Sequence, residues 1–136
     1  LFACGTLRSA FAPNQVKPLL ERMKLVSAAT VRGRLYDLGE YPGAVLAEDA
    51  GTIVGELLEL PADETLLHAL DRYEGIDERA PAHSLFVRTR CRTVLPDGQS
   101  VEAWIYVYNQ PLSAARLIAS GDYAEVARPL QSEISN

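Results

Sequence analysis

Apolar and polar positions alternate along most of this chain, and only two stretches widen to the spacing of a helix. Alternation marks half-buried strands, because successive side chains point to opposite faces. The opening Leu1-Phe2-Ala3-Cys4 reads as a strand that breaks at Gly5-Thr6. Residues 27–38 form a second strand, ending in Leu35-Tyr36-Asp37-Leu38. The loop Gly39-Glu40-Tyr41-Pro42-Gly43 follows, since proline fixes φ and glycine relieves the turn. A short strand over 44–47, a turn at Asp49-Ala50-Gly51 and a strand over 52–60 predict a hairpin. A second hairpin joins 84–95 to 100–108 through Pro96-Asp97-Gly98.

Helical spacing appears first at Val16, Leu19, Leu20 and Met23, behind a cap at Asn14, with Pro18 early enough to be tolerated. It returns at Leu66, Leu67, Leu70 and Tyr73, with Asp63 as cap and Gly75 as stop signal. The tail from Leu112 is ambiguous, and residues 117–123 would finish one helix and begin another. About six strands with few helices between them exclude a regular βαβ series. The expected fold is α+β, a small mixed or antiparallel barrel-like sheet with flanking helices, in a single domain over 1–136.

Composition narrows the function. The net charge of −5 and thirteen scattered Lys and Arg argue against nucleic acid or an anionic membrane as partner. No stretch reaches the roughly 18 apolar residues of a membrane span. Cys4 and Cys91 sit in apolar segments outside any CxxC or Cys/His cluster, so reduced thiols and a cytoplasmic location are expected. The first seven residues are too short for a signal peptide, and the missing initiator Met points to a residue or two upstream. His68 and His83 have no second ligand at metal spacing, so no metal and no cofactor are expected.

Four segments carry candidate chemistry. The turn Cys4-Gly5-Thr6-Leu7-Arg8 offers successive backbone N–H groups as a nest for a carboxylate, or is simply a tight turn. In Leu70-Asp71-Arg72-Tyr73-Glu74-Gly75, Glu74 stands at the negative end of a helix, which would raise its pKa toward that of a general base. The bland alternative is a solvated acid paired with Arg72 or Arg79, with Asp71 as a surface charge. Arg88, Arg90 and Arg92 share a strand face and read as a solvated stripe opposite acids such as Glu102. Trp104, Tyr106 and Tyr108 share another, serving as core or as the wall of a cavity with hydroxyls available.

Taken in order, these segments resemble the γ-glutamyl cyclotransferase-like superfamily, which includes γ-glutamylamine cyclotransferase and the plant avirulence-induced proteins. The matching stretches are residues 1–8, Gly33-Arg34-Leu35-Tyr36-Asp37-Leu38 with Tyr41-Pro42-Gly43, and Leu70 to Gly75. Phe86-Val87-Arg88, the segment 103–108 and Ser120-Gly121-Asp122-Tyr123 also fit, so nearly the whole chain is covered. The resemblance implies a barrel-like sheet and release of 5-oxoproline from a small-molecule γ-glutamyl amide or amine. It implies Glu74 as catalytic acid/base, and Cys4, Gly5, Thr6 and Leu7, with Tyr106, as the substrate-binding set. Such a substrate brings its own nucleophile, an α-amine poised to close a five-membered ring, so neither metal nor enzyme nucleophile is required. Cys4 and Phe86 stand where the family usually has Tyr. The alternatives are a non-catalytic small-molecule-binding member of the same fold and amide hydrolysis with Cys4 as nucleophile.

Overall fold

The computed structural model describes residues 1–113 and 115–127. Its organising element is β2 (Lys24–Asp37), a strand of 14 residues that serves two partners end to end along one edge. The Gly33–Asp37 half pairs with β3 (Pro42–Leu46), and the Lys24–Arg32 half pairs with β4 (Thr52–Glu59), both antiparallel. The expected hairpin between the third and fourth strands is therefore wrong. Instead the chain reverses once, at residues 38–41, where Leu38 N–H donates to Tyr41 O at 3.1 Å. The Asp49-Ala50-Gly51 turn does not reverse it. Ala47 N–H and Arg32 O, and Gly33 N–H and Gly51 O, close that loop against β2, so β4 continues in the direction of β3.

β1 (Phe2–Ala3) adds to β4, and the antiparallel pair β5 (Phe86–Val94) and β6 (Ser100–Tyr108) joins β2 at Thr30 and Val94. The main path is β1-β4-β2-β5-β6, with β3 and β7 (Arg116–Leu117) paired to the distal half of β2. β1 and β3 also pack on β6, so the sheet curls into a nearly closed antiparallel barrel. The predicted 100–108 strand and its turn are found as expected. The tail differs: 116–117 is a strand pairing Tyr36 and Asp37, and 123–125 is a single 3₁₀ turn, not a helix junction. The reading of Ala114 and of 128–136 lies outside the described residues.

Two apolar clusters sit on either side of the sheet. Phe2, Val31, Leu35, Ile53, Ile105 and Ile118 fill the barrel. Leu1, Leu7, Val16, Leu66, Leu70 and Phe86 lie under the helices α1 (Lys17–Leu20) and α2 (Thr65–Tyr73). The strand period accounts for the split: Phe2 points into the barrel while Leu1 and Ala3 point to the helical layer. α1 is only 4 residues long and begins from a Pro13–Val16 turn, without a side-chain cap from Asn14. α2 forms where predicted, but its N-cap is Glu64; Asp63, one residue earlier, accepts from Thr65 N–H through Oδ1 at 2.9 Å. No helix among the described residues is long and apolar enough to cross a membrane.

Candidate functional site

The last turn of α2 sets the position of Glu74. Ile76 N–H donates to Asp71 O at 3.0 Å and Gly75 N–H to Arg72 O at 3.1 Å, the paired bonds of a Schellman motif. Gly75 takes φ +78°, which a side chain would strain, and Glu74 becomes the C-cap residue. Leu85 N–H then bonds Gly75 O at 3.1 Å, tying this end of the helix to the approach of β5.

Opposite it lies the loop that follows β1. Thr6 Oγ1 and Tyr73 OH are 2.9 Å apart, so the loop is tied to the residue preceding Glu74. Gly5 is needed for a close approach: a Cβ there would lie 2.6 Å from Pro42 Cγ. The backbone N–H groups of Gly5, Thr6 and Leu7 donate to no protein acceptor among the described residues. Unpaired donors in a row are what an anion-binding nest requires.

Loop and helix end face one cavity of about 690 Å³, whose wall includes Cys4, Gly5, Thr6, Leu7, Glu74 and Tyr106. All six sequence-predicted site residues thus converge. The Glu74 carboxylate is half-buried, with no ion pair or side-chain hydrogen bond among the described residues, and the supposed pairing with Arg72 or Arg79 is absent. Burial pushes its pKa from the ordinary 4.5 to about 7. The cause is desolvation by burial. A carboxylate titrating near neutrality can take a proton and give it back in the same turnover.

Cys4 also lines the cavity, but burial, reinforced by the charge of Glu74, pushes its thiol up to about 12. A thiol so hard to ionise is a poor nucleophile, and both histidines are exposed. Cys4 and Cys91 are free thiols, as expected. No group of metal-ligating side chains occurs among the described residues.

Asp71 is the residue the sequence reading missed. It is buried, not a surface charge, and accepts from Arg88 Nε at 2.8 Å, Arg88 Nη2 at 3.2 Å and Tyr106 OH at 2.7 Å. Arg88 and Tyr106 are direct cross-strand partners on β5 and β6, and the Arg88 guanidinium lies 4.3 Å from the centre of the Trp104 ring. Arg88 is accordingly no member of a solvated stripe: it clamps α2 to the sheet three residues before Glu74. The available signal was an acid at helical spacing from Leu67, on the inward side of α2. Tyr106 OH is committed as donor to Asp71, while burial and that carboxylate raise its pKa. Phe86 supplies an apolar wall, edge-on to Tyr108 at 5.5 Å.

Comparison with known proteins agrees with this architecture. Residues 1–125 match the family described as gamma-glutamyl cyclotransferase, AIG2-like. A Methanocaldococcus jannaschii protein provisionally named a gamma-glutamylcyclotransferase is 30% identical over 127 residues, covering 92% of this chain and 95% of its own. The gamma-glutamylcyclotransferase family protein YtfP of Escherichia coli K12 is 36% identical over 94 residues, 68% of either chain. Among solved structures, YkqA from Bacillus subtilis superposes with a TM-score of 0.68 at 28% identity, over 92% of this chain and 39% of that longer one. A structure titled gamma-glutamyl cyclotransferase gives a TM-score of 0.63 at 12% identity, over 98% of this chain and 83% of the other, a likeness of fold alone. By the extent of the match and the relatives that share it, this chain belongs to the gamma-glutamyl cyclotransferase, AIG2-like family.

Proposed function

We propose that this protein cleaves a γ-glutamyl amide by cyclisation, releasing 5-oxoproline and an amine, with Glu74 as general acid/base. The observation that carries the reading is the half-buried Glu74 carboxylate, titrating near 7, across one cavity from the unclaimed N–H groups of Gly5, Thr6 and Leu7. In this reading the amides hold the substrate's α-carboxylate or steady the oxyanion that develops on the γ-carbonyl. Glu74 takes a proton from the α-ammonium, and the freed α-nitrogen attacks the γ-carbonyl carbon, forming the lactam C–N bond. As the tetrahedral intermediate collapses, the protonated Glu74 gives its proton to the departing nitrogen and the original amide C–N bond breaks. The ring nitrogen loses a second proton, and the amine leaves as an ammonium ion, so charge and protons balance. Holding the γ-glutamyl chain folded supplies much of the acceleration, because the attack is intramolecular.

The test is a panel of γ-glutamyl dipeptides and γ-glutamyl amines assayed for 5-oxoproline. Saturable product formation is expected, falling at least about 100-fold in Glu74→Gln, the range that general acid/base groups contribute. The rate should rise with pH through about 7, as the base form of Glu74 accumulates. Product formation that persists undiminished in the Gln variant would refute the assignment of Glu74. Saturable binding of the panel with no product at all would instead identify a binding protein.

A further inference from the structure

The Gly5–Leu7 amides are held by the side chains of their own turn rather than by the sheet. β1 ends at Ala3, and Arg8 N–H donates back to Gly5 O at 2.9 Å, so the turn closes on itself. Its far half is anchored: Leu7 is 4% exposed in the layer beneath the helices, and Arg8 pairs with Asp122 at 2.8 Å. The near half lacks such anchors. Gly5 rests against Pro42 with no side chain to hold it, and Thr6 stands half-buried at the cavity wall. Among the described residues, the hydrogen bond that reaches this half from another element links Thr6 Oγ1 and Tyr73 OH at 2.9 Å.

Tyr73 is a well-fixed point from which to hold the turn. It is the last residue of α2, and Asp71, two residues earlier, binds Arg88 at 2.8 Å and Tyr106 at 2.7 Å on the sheet. Glu74 follows it directly, so one short piece of chain carries both the acid and the tether of the opposite loop. Successive helical residues do not share a direction, so the Tyr73 hydroxyl meets Thr6 while Glu74 lies in the same cavity wall. Burial and the neighbouring charge of Glu74 raise the pKa of the Tyr73 phenol, so the tether stays protonated while Glu74 titrates. Resting on the cyclotransferase reading, we propose that Tyr73 is a positioning residue: its hydroxyl, acting through Thr6, fixes the Gly5 and Thr6 amides relative to Glu74. Cradle and base are then one rigid unit, and a substrate need not order the loop as it binds.

Tyr73→Phe and Thr6→Val each remove one hydroxyl and keep the shape. With a γ-glutamyl amide that the native protein cyclises, kcat/KM should fall about tenfold in either variant, short of the ~100-fold or more for losing an oxyanion donor outright. The acid limb of the pH profile should stay near 7, because Glu74 itself is untouched. The double variant should also lose about tenfold, since both changes break the same bond. A rise in KM with kcat preserved would place the amides on the α-carboxylate, and a fall in kcat would place them on the oxyanion; either supports the role. Tyr73→Phe within about twofold of native kcat/KM, or losses that multiply to about 100-fold in the double variant, would overturn it, whatever happens to stability.

Amide nitrogen relaxation gives a readout independent of turnover. Gly5 and Thr6 should show order parameters of about 0.85 in the native protein and below about 0.6 in Tyr73→Phe, with Leu70 and Glu74 rigid in both. Equal order in the two proteins would overturn the proposal even if the kinetics shift. Should the native protein yield no 5-oxoproline from any γ-glutamyl amide, the cyclotransferase reading fails, and the relaxation data still decide whether Tyr73 fixes the turn.

Discussion

Replacing Glu74 by Gln should stabilise the protein at alkaline pH while it abolishes turnover, because the anionic carboxylate is held where water solvates it poorly. The folded state moves the pKa of Glu74 from 4.5 to about 7, by burial. Between those values the folded chain binds more protons than the unfolded chain, so stability falls as pH rises. Below about 4.5 both states are protonated and the group contributes nothing; above about 7 both are ionised and the full cost is present. At about 1.4 kcal/mol per tenfold change in proton affinity, that displacement corresponds to about 3 kcal/mol. Water entering the cavity reduces it, so ~1–2 kcal/mol is the expected net cost at pH 8. Gln keeps the shape and cannot ionise, so the difference in stability between the two proteins should open with pH. Urea melts of both at pH 4.5, 6, 7 and 8 would measure it, with the midpoints coinciding at the acid end and the variant ahead by ~1–2 kcal/mol at the other. A pH-independent difference, or a variant less stable than the native protein at pH 8, would refute the account of Glu74 as a strained, desolvated acid.

Asp71→Ala should cost ~3 kcal/mol, because it leaves the Arg88 guanidinium and the Tyr106 hydroxyl without their shared acceptor, and Asp71→Ala/Arg88→Met should recover part of that in a urea melt. Gly75→Ala should cost ~1–2 kcal/mol, since its φ of +78° disfavours a side chain and the new Cβ meets Leu85 Cβ at 3.2 Å. The same change should lower turnover by displacing the C-cap, whereas unchanged kinetics would detach Glu74 placement from the Schellman turn. Cys4→Tyr should remain soluble and melt cooperatively, because the side chain borders a cavity of about 690 Å³ with room for a phenol ring. Aggregation of that variant in gel filtration would contradict it.

Much of this molecule is legible from local pattern alone. Strand alternation in 84–108 and the helical stripe at Leu66 and Leu70 depend on neighbours in sequence, and the Gly75 stop needs only the conformational freedom of glycine. The residues that converge on the cavity were likewise named from the chain, most of them through the family wording of their segments. Pairing was a different matter. The turn at Asp49-Ala50-Gly51 has hairpin composition, yet hydrogen bonds from both its ends to β2 turn it into an outward loop between collinear strands. Residues 117–123 have no decisive local preference, and the open edge of β2 at Tyr36 and Asp37 made a strand of Arg116–Leu117.

The sequence by itself determined most of the strand segments, where the second helix stops, and that an acid stands at its end. Only the tertiary structure decided what that acid experiences. Solvent access and distant partners depend on which elements close over a site, and period and composition do not carry that information. Thus Glu74 owes its raised pKa to burial in the cavity wall, and Asp71 its clamp to a cross-strand pair 17 and 35 residues away.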